Sequence, residues 1–111
     1  MATQKKSFEL WLEFEHWEAQ EHDDPEDDCF NMHIIFSTEK RYALNVWTYK
    51  SLRRIVNDCE ATGECMRGAY LRPPDLFVKR LDRDLIERII CDLINNDRLK
   101  EEWRILEDKN N

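Results

Sequence analysis

The chain has 111 residues, of which 37% are charged, 41% apolar and 11% aromatic; 17 basic residues stand against 24 acidic ones, for a net charge of −7. That length suits one domain around one modest core, and the apolar share is too high for a disordered chain. The acidic balance argues against direct binding of nucleic acid, whose phosphates demand Lys and Arg, and no apolar run approaches the ~20 residues that span a bilayer.

Residues 1–6 are a polar, basic lead-in that is expected to fray, with no apolar segment of signal-peptide type behind it, so a cytoplasmic protein is expected. From Ser7 the chain alternates. Phe8, Leu10, Leu12 and Phe14 fall on one side, Glu9, Trp11, Glu13 and Glu15 on the other. A period of two predicts a strand with one buried face. Glu18–Asp28 then holds seven acids, and the other 17 balance the 17 basic residues, so the whole net charge sits in this segment. Pro25 disfavours a helix through it, and its near lack of apolar residues predicts a surface loop. Alternation resumes in Cys29–Ser37, with Phe30, Met32, Ile34 and Phe36 against Asn31, His33 and Ile35. It returns after a polar turn in Tyr42–Thr48. Three sequential strands predict an antiparallel meander.

The period changes near Thr48. Leu52, Ile55, Val56 and Cys59 share one helical face, which predicts a helix over Tyr49–Thr62, with Thr48 or Ser51 as its N-cap and Gly63 as its stop. Gly63 and Gly68 are the only glycines in the chain. They bracket Glu64–Arg67, where the backbone is expected to turn sharply or take positive φ. Ala69–Leu71 and Leu76–Val78 read as short strands on either side of Pro73-Pro74. Asp82 reads as the cap of a helix over Arg83–Asn95, whose Leu85, Ile86, Ile89, Ile90, Leu93 and Ile94 form a wide stripe. Asp97 is placed to cap a last helix over Arg98–Glu107, docked by Leu99, Trp103 and Leu106, and residues 108–111 should fray. The expectation is a single α+β domain over 1–111, with an antiparallel sheet of three long strands plus one or two short ones and about three helices.

No catalytic signature emerges. The four cysteines, Cys29, Cys59, Cys65 and Cys91, contain no CxxC pair and read as free thiols acting as small hydrophobes. As a nucleophile Cys65 is a better candidate than Cys29, whose thiol pKa the preceding Asp27 and Asp28 would raise, yet neither has an evident base. His16 and His22 lie among carboxylates but at no metal-ligand spacing, and Asp23–Asp28 is not an EF-hand loop. There is no phosphate-cradling loop and no nucleophile elbow. A protein without catalytic residues, metal or cofactor is expected.

The aromatics point elsewhere. Trp11, Trp17, Trp47 and Tyr49 fall opposite the expected core face. Either they form an aromatic patch rimmed by carboxylates, which is the anatomy of a protein interface, or the last helix with Trp103 covers them. The candidate partner-binding set is Glu18, Glu21, Asp23, Asp24, Glu26, Asp27 and Asp28 with Trp11 and Trp17. Its charge suits a basic protein and fast, salt-sensitive association.

The stretch Thr62-Gly-Glu-Cys-Met-Arg-Gly-Ala-Tyr70 is preceded by Arg41-Tyr-Ala-Leu-Asn-Val-Trp-Thr48 and a short helix, and followed by Asp75-Leu-Phe-Val78 and an isoleucine-rich helix. In this order the chain resembles small bacterial immunity-type proteins associated with polymorphic or contact-dependent toxins. The resemblance covers about residues 42–93. It departs at Arg72-Pro-Pro74, where the pattern has aromatic or small residues, and it leaves out the acidic segment. It implies a protein that binds and neutralises a cognate toxin domain, for instance a basic, nuclease-type one. Two alternatives stand beside it: a nucleic-acid mimic that inhibits a DNA-binding enzyme, and a small metal-dependent enzyme using His16, His22 and Glu21.

Overall fold

A computed structural model describes residues 8–18 and 24–105. The period-two segments become strands β1 (Phe8–Leu12), β2 (Cys29–Phe36) and β3 (Arg41–Thr48), joined at one edge by β4 (Leu76–Val78), in the order β1-β2-β3-β4. Helix α1 covers Tyr49–Thr62, a short turn of helix α2 covers Glu64–Gly68, and α3 covers Arg83–Asn95. The protein is α+β, and its described residues form a four-stranded mixed sheet and three helices.

The register converts alternation into two faces. Phe8, Leu10 and Leu12 lie opposite Phe36, Ile34 and Met32. Those in turn meet Tyr42 and Leu44, and Phe30 meets Val46. This row is buried against Ile86 and Ile90 of α3, together with Val78, Leu81 and Trp103. The wide stripe of α3 therefore covers one face of the sheet. Burying each such side chain contributes roughly 1.5–3 kcal/mol.

The caps follow the sequence closely. Thr48 Oγ1 accepts from Ser51 N–H at 3.2 Å, and Gly63 closes α1 in the left-handed region at φ 89°. Asp82 Oδ1 accepts from Leu85 N–H at 3.3 Å at the start of α3. Gly68 also takes positive φ, at 80°.

Four expectations are corrected. First, β4 runs parallel to β3, not antiparallel. Chain leaving β3 goes straight into α1, which carries it back along the sheet, so the next neighbouring strand must run in the same direction. Second, β1 stops at Leu12. Glu13–His16 is a 3-10 turn, which still tucks Phe14 edge-on against Phe30 at 4.9 Å. Third, Ala69–Leu71 forms no strand. Fourth, within the described residues the last segment is a 3-10 turn, Glu101–Trp103, followed by extended chain in place of a helix.

That extended chain closes an edge. Arg104 bridges Tyr42, and Ile105 N–H donates to Arg41 O at 2.8 Å. Farther along β3, Asp75 N–H donates to Asn45 O at 2.9 Å, and Asp75 Oδ2 accepts from Asn45 N–H at 2.8 Å. Val46–Thr48 are paired with β4. Two separate segments, 75–78 and 104–105, thus occupy the outer edge of β3, satisfying backbone groups that would otherwise template aggregation. A narrow three-residue stripe could not compete with these pairings for the C-terminal chain. Among the described residues, no helix is long and apolar enough to cross a membrane.

Candidate functional site: an open sheet face beside an acidic segment

The second face of the sheet carries the other parity. Its rows are Glu9–Ile35–Arg41, Trp11–His33–Ala43 and Asn31–Asn45, set by the same register. Trp103 belongs to the opposite core, so the described C-terminal residues, which end at Ile105, do not cover this face. Trp11 is 39% exposed. It lies in an open depression of about 420 Å3 lined by Trp11, Glu13, Asn31, His33, Ile35 and Arg41.

Trp11 is held rather than loose. His16 stacks on its ring at 5.1 Å and 15°, brought round by the 3-10 turn, and His33 lies at 5.4 Å from the neighbouring strand. Glu13 Oε1 accepts from Asn31 N–H at 2.8 Å and from its side-chain amide at 3.3 Å. Asn31 Oδ1 accepts from the Asn45 amide at 3.3 Å. These bonds prolong the sheet ladder past the end of β1 and fix the 3-10 turn. At the far end of the face, Trp47 meets Phe77 edge-on, Tyr49 stacks on Phe77 at 5.8 Å, and the Cys29 thiol reaches Ser51 Oγ at 3.8 Å. There α1 begins.

Arg83 braces the 3-10 turn from α3. Its Nε and Nη2 donate to the two Glu15 oxygens at 2.7 and 2.8 Å, Nη1 donates to Glu87 at 2.8 Å, and Nη2 also donates to Leu10 O at 2.9 Å. The Arg83 hydrogen bond holds the Glu15 carboxyl below its ordinary value of 4.5, and Glu15 raises the Arg83 pKa in return. A depressed carboxylate stabilises the fold above its unfolded pKa and loses that contribution as pH falls through the folded value. Both side chains are about a third exposed, which screens the pair to ~1 kcal/mol. Glu15→Gln is expected to be less stable than wild type by that amount at pH 7, and the gap should close below pH 4.5. Urea titrations across that range measure it; a constant gap would refute the assignment.

The acidic segment is less free than its sequence suggests. Asp24 Oδ2 accepts from Lys50 Nζ at 2.6 Å and Oδ1 from Glu26 N–H at 3.0 Å, holding the Asp24 carboxyl low. Asp27 pairs with Arg54 at 2.9 Å. Asp28 N–H donates to Thr48 Oγ1 at 3.0 Å, and Thr48 N–H donates to Asp28 O at 3.0 Å. Pro25 O accepts from Leu81 N–H at 2.7 Å. Residues 24–28 are therefore strapped across the start of α1, whose first turn contains no acid of its own, where the positive end of the helix dipole favours carboxylates.

The sequence-derived set divides accordingly. Trp11 is on the open face. Trp17 packs against the core, because the 3-10 turn breaks the alternation that would have put it beside Trp11. Asp24, Asp27 and Asp28 serve the fold, while Glu26 is exposed. Glu18 is exposed and follows Trp17. Glu21, Asp23 and His22 lie outside the described residues. Sequence reasoning named His16 only as a metal-ligand candidate and not as a partner of Trp11, and it missed Arg41 and the Glu13–Asn31–Asn45 ladder. The parity of Asn31 and His33 with Trp11 was visible; the register that juxtaposes them was not. Burial is the main reason the Cys29 thiol is pushed up, with Asp28 and Asp27 as lesser contributors. Among the described residues, no three His, Cys, Asp or Glu side chains gather as a metal site. No protein-family model, curated protein or solved structure matches the chain.

Proposed function

We infer that this is a non-enzymatic binding protein that docks a basic protein on its open sheet face. The observation that carries the reading is Trp11: a large, exposed aromatic, immobilised by two histidines on a strand, with Glu9 and Glu13 on either side of it along the same face. Rigid aromatics in desolvated centres dominate binding energy, and a charged rim governs association rate. The acids at Glu18 and Glu26 extend the negative field, while Asp24 and Asp27 are largely neutralised by Lys50 and Arg54. The resemblance to immunity-type proteins gives this reading its specific form, in which the basic partner is a cognate toxin domain, neutralised in the cytoplasm.

The test is to sequence the reading frames beside this gene, co-express the protein with any toxin domain found there, and measure binding on the purified pair. Wild type is expected to protect cells and to bind more slowly as salt rises. Trp11→Ala should weaken binding by at least ~2 kcal/mol, roughly 30-fold, mainly through faster dissociation. Glu9→Lys with Glu26→Lys should instead lower the association rate. Undiminished affinity in Trp11→Ala would overturn the open-face site; a neutral or acidic partner would overturn the charge argument.

A further inference from the structure

The short α2 carries a second feature, remote from the open face in its chemistry. Cys59 is in the last turns of α1 and only 5% exposed, while Cys65 follows the helix stop and is half-buried. Gly63 N–H donates to Cys59 O at 2.9 Å and turns the chain out of the helix. Cys65, Met66 and Arg67 then all adopt left-handed dihedrals, at φ 52°, 54° and 59°. Each such residue costs about 1–2 kcal/mol, so a run of three persists only where its surroundings hold it.

What holds it is α1. Arg67 Nη1 donates to Glu60 O at 3.2 Å, and Ala69 N–H donates to Cys65 O at 3.0 Å. Gly68 lies so close to α1 that a Cβ there would sit 2.9 Å from Glu60 Cγ and 3.4 Å from Val56 O. This reversal folds the turn back over the helix end, with Arg67 and Gly68 against Glu60 and Val56 on either side of Cys59, and so brings Cys65 beside Cys59. The other two cysteines are placed differently: Cys29 is bonded to Ser51, and Cys91 is exposed on α3. A buried thiol and a more accessible one, joined by a five-residue connection that a left-handed turn folds back, suit the roles of a resolving and an attacking cysteine.

We propose that Cys59 and Cys65 are a redox-active pair that closes to an intramolecular disulfide with a low-molecular-weight disulfide, such as oxidised glutathione, as oxidant. The Cys65 thiolate attacks one glutathione sulfur, forming a mixed disulfide and expelling the first glutathione thiolate. Cys59 then loses its proton and attacks the Cys65 sulfur, expelling the second. Two protein thiols are oxidised, one glutathione disulfide is reduced to two thiols, and the two protons lost by the protein end on the released thiolates. Burial pushes the Cys59 thiol up, which suits it to the second, resolving step, where it is delivered by proximity. The bond pins the left-handed turn to α1.

Trypsin offers a direct readout, because Ile55–Arg67 lies between Arg54 and Gly68 and contains Cys59 and Cys65 alone. The full-length protein is equilibrated in glutathione buffers of increasing oxidised fraction, alkylated, digested and weighed. The expected result is that this peptide loses both alkyl groups and the mass of two hydrogens, in monomeric protein, and regains both groups after reduction. The Cys29→Ser/Cys91→Ser double variant, which leaves the pair untouched, should behave identically. Cys59→Ser should instead accumulate a glutathione adduct on Cys65. The proposal is overturned if Ile55–Arg67 stays doubly alkylated while glutathione is fully oxidised, or if its cysteines pair with Cys29, Cys91 or a second chain.

Discussion

Phe30→Ala is expected to lower stability by about 3–5 kcal/mol, the usual cost of a large aromatic truncated in a close-packed core. Phe30 is 2% exposed, pairs across the sheet with Val46, and receives the edge of Phe14. A domain of this size has about 5–15 kcal/mol in total, so the variant should sit near the unfolding threshold at room temperature. Its effect should also reach the open face. Phe14 anchors the 3-10 turn that delivers His16 to Trp11, so the His16 ring signals in NMR spectra should shift while those of His33, fixed by β2, move less. Phe36→Ala makes the comparison, since Phe36 is only half-buried at the end of β2. Urea unfolding curves with unchanged slope give the stability difference. If Phe30→Ala costs no more than Phe36→Ala, the assigned core is wrong.

The second large effect is expected at Thr48, which is fully buried. Its hydroxyl oxygen accepts from Ser51 N–H and Asp28 N–H, and its proton reaches Asp28 O at 3.2 Å. Thr48→Val keeps the shape and removes the hydroxyl, leaving two backbone donors unmet at once: the cap of α1 and the root of the acidic segment. The expected loss is about 2–3 kcal/mol, a cap plus an unsatisfied buried group. Thr48→Ser keeps the hydroxyl and should retain most of the stability. Hydrogen exchange at the Asp28 and Ser51 amides should accelerate in the valine variant alone. Equal behaviour of the two variants would mean that packing, not hydrogen bonding, accounts for the site. The same logic bears on interpreting any charge reversal in this region. Asp24, Asp27 and Asp28 are structural partners of α1 and Thr48, so reversing them disturbs the fold, whereas Glu9 and Glu26 report on the surface.

Much of the architecture was legible from local pattern because local physics decides it. The alternation of Phe8–Leu12 and Phe30–Phe36 with polar neighbours has no other way to bury one side. The bounds of α1 and α3 follow from Thr48, Gly63 and Asp82, whose capping chemistry acts within a few residues. The positive φ of Gly63 and Gly68 was equally local. Long-range geometry decided the rest. The parallel direction of β4 depends on where α1 releases the chain, and the extended course of Arg104–Ile105 depends on the unpaired edge of β3. Composition located the net charge in Glu18–Asp28, but only the fold showed that Lys50 and Arg54 balance part of it. Alternation likewise set Trp11 outward from the core, whereas the 3-10 turn sent Trp17 inward and brought His16 onto Trp11. Short-range preferences therefore determined which residues form each element, and pairings between distant segments determined which charges and rings remain on the surface.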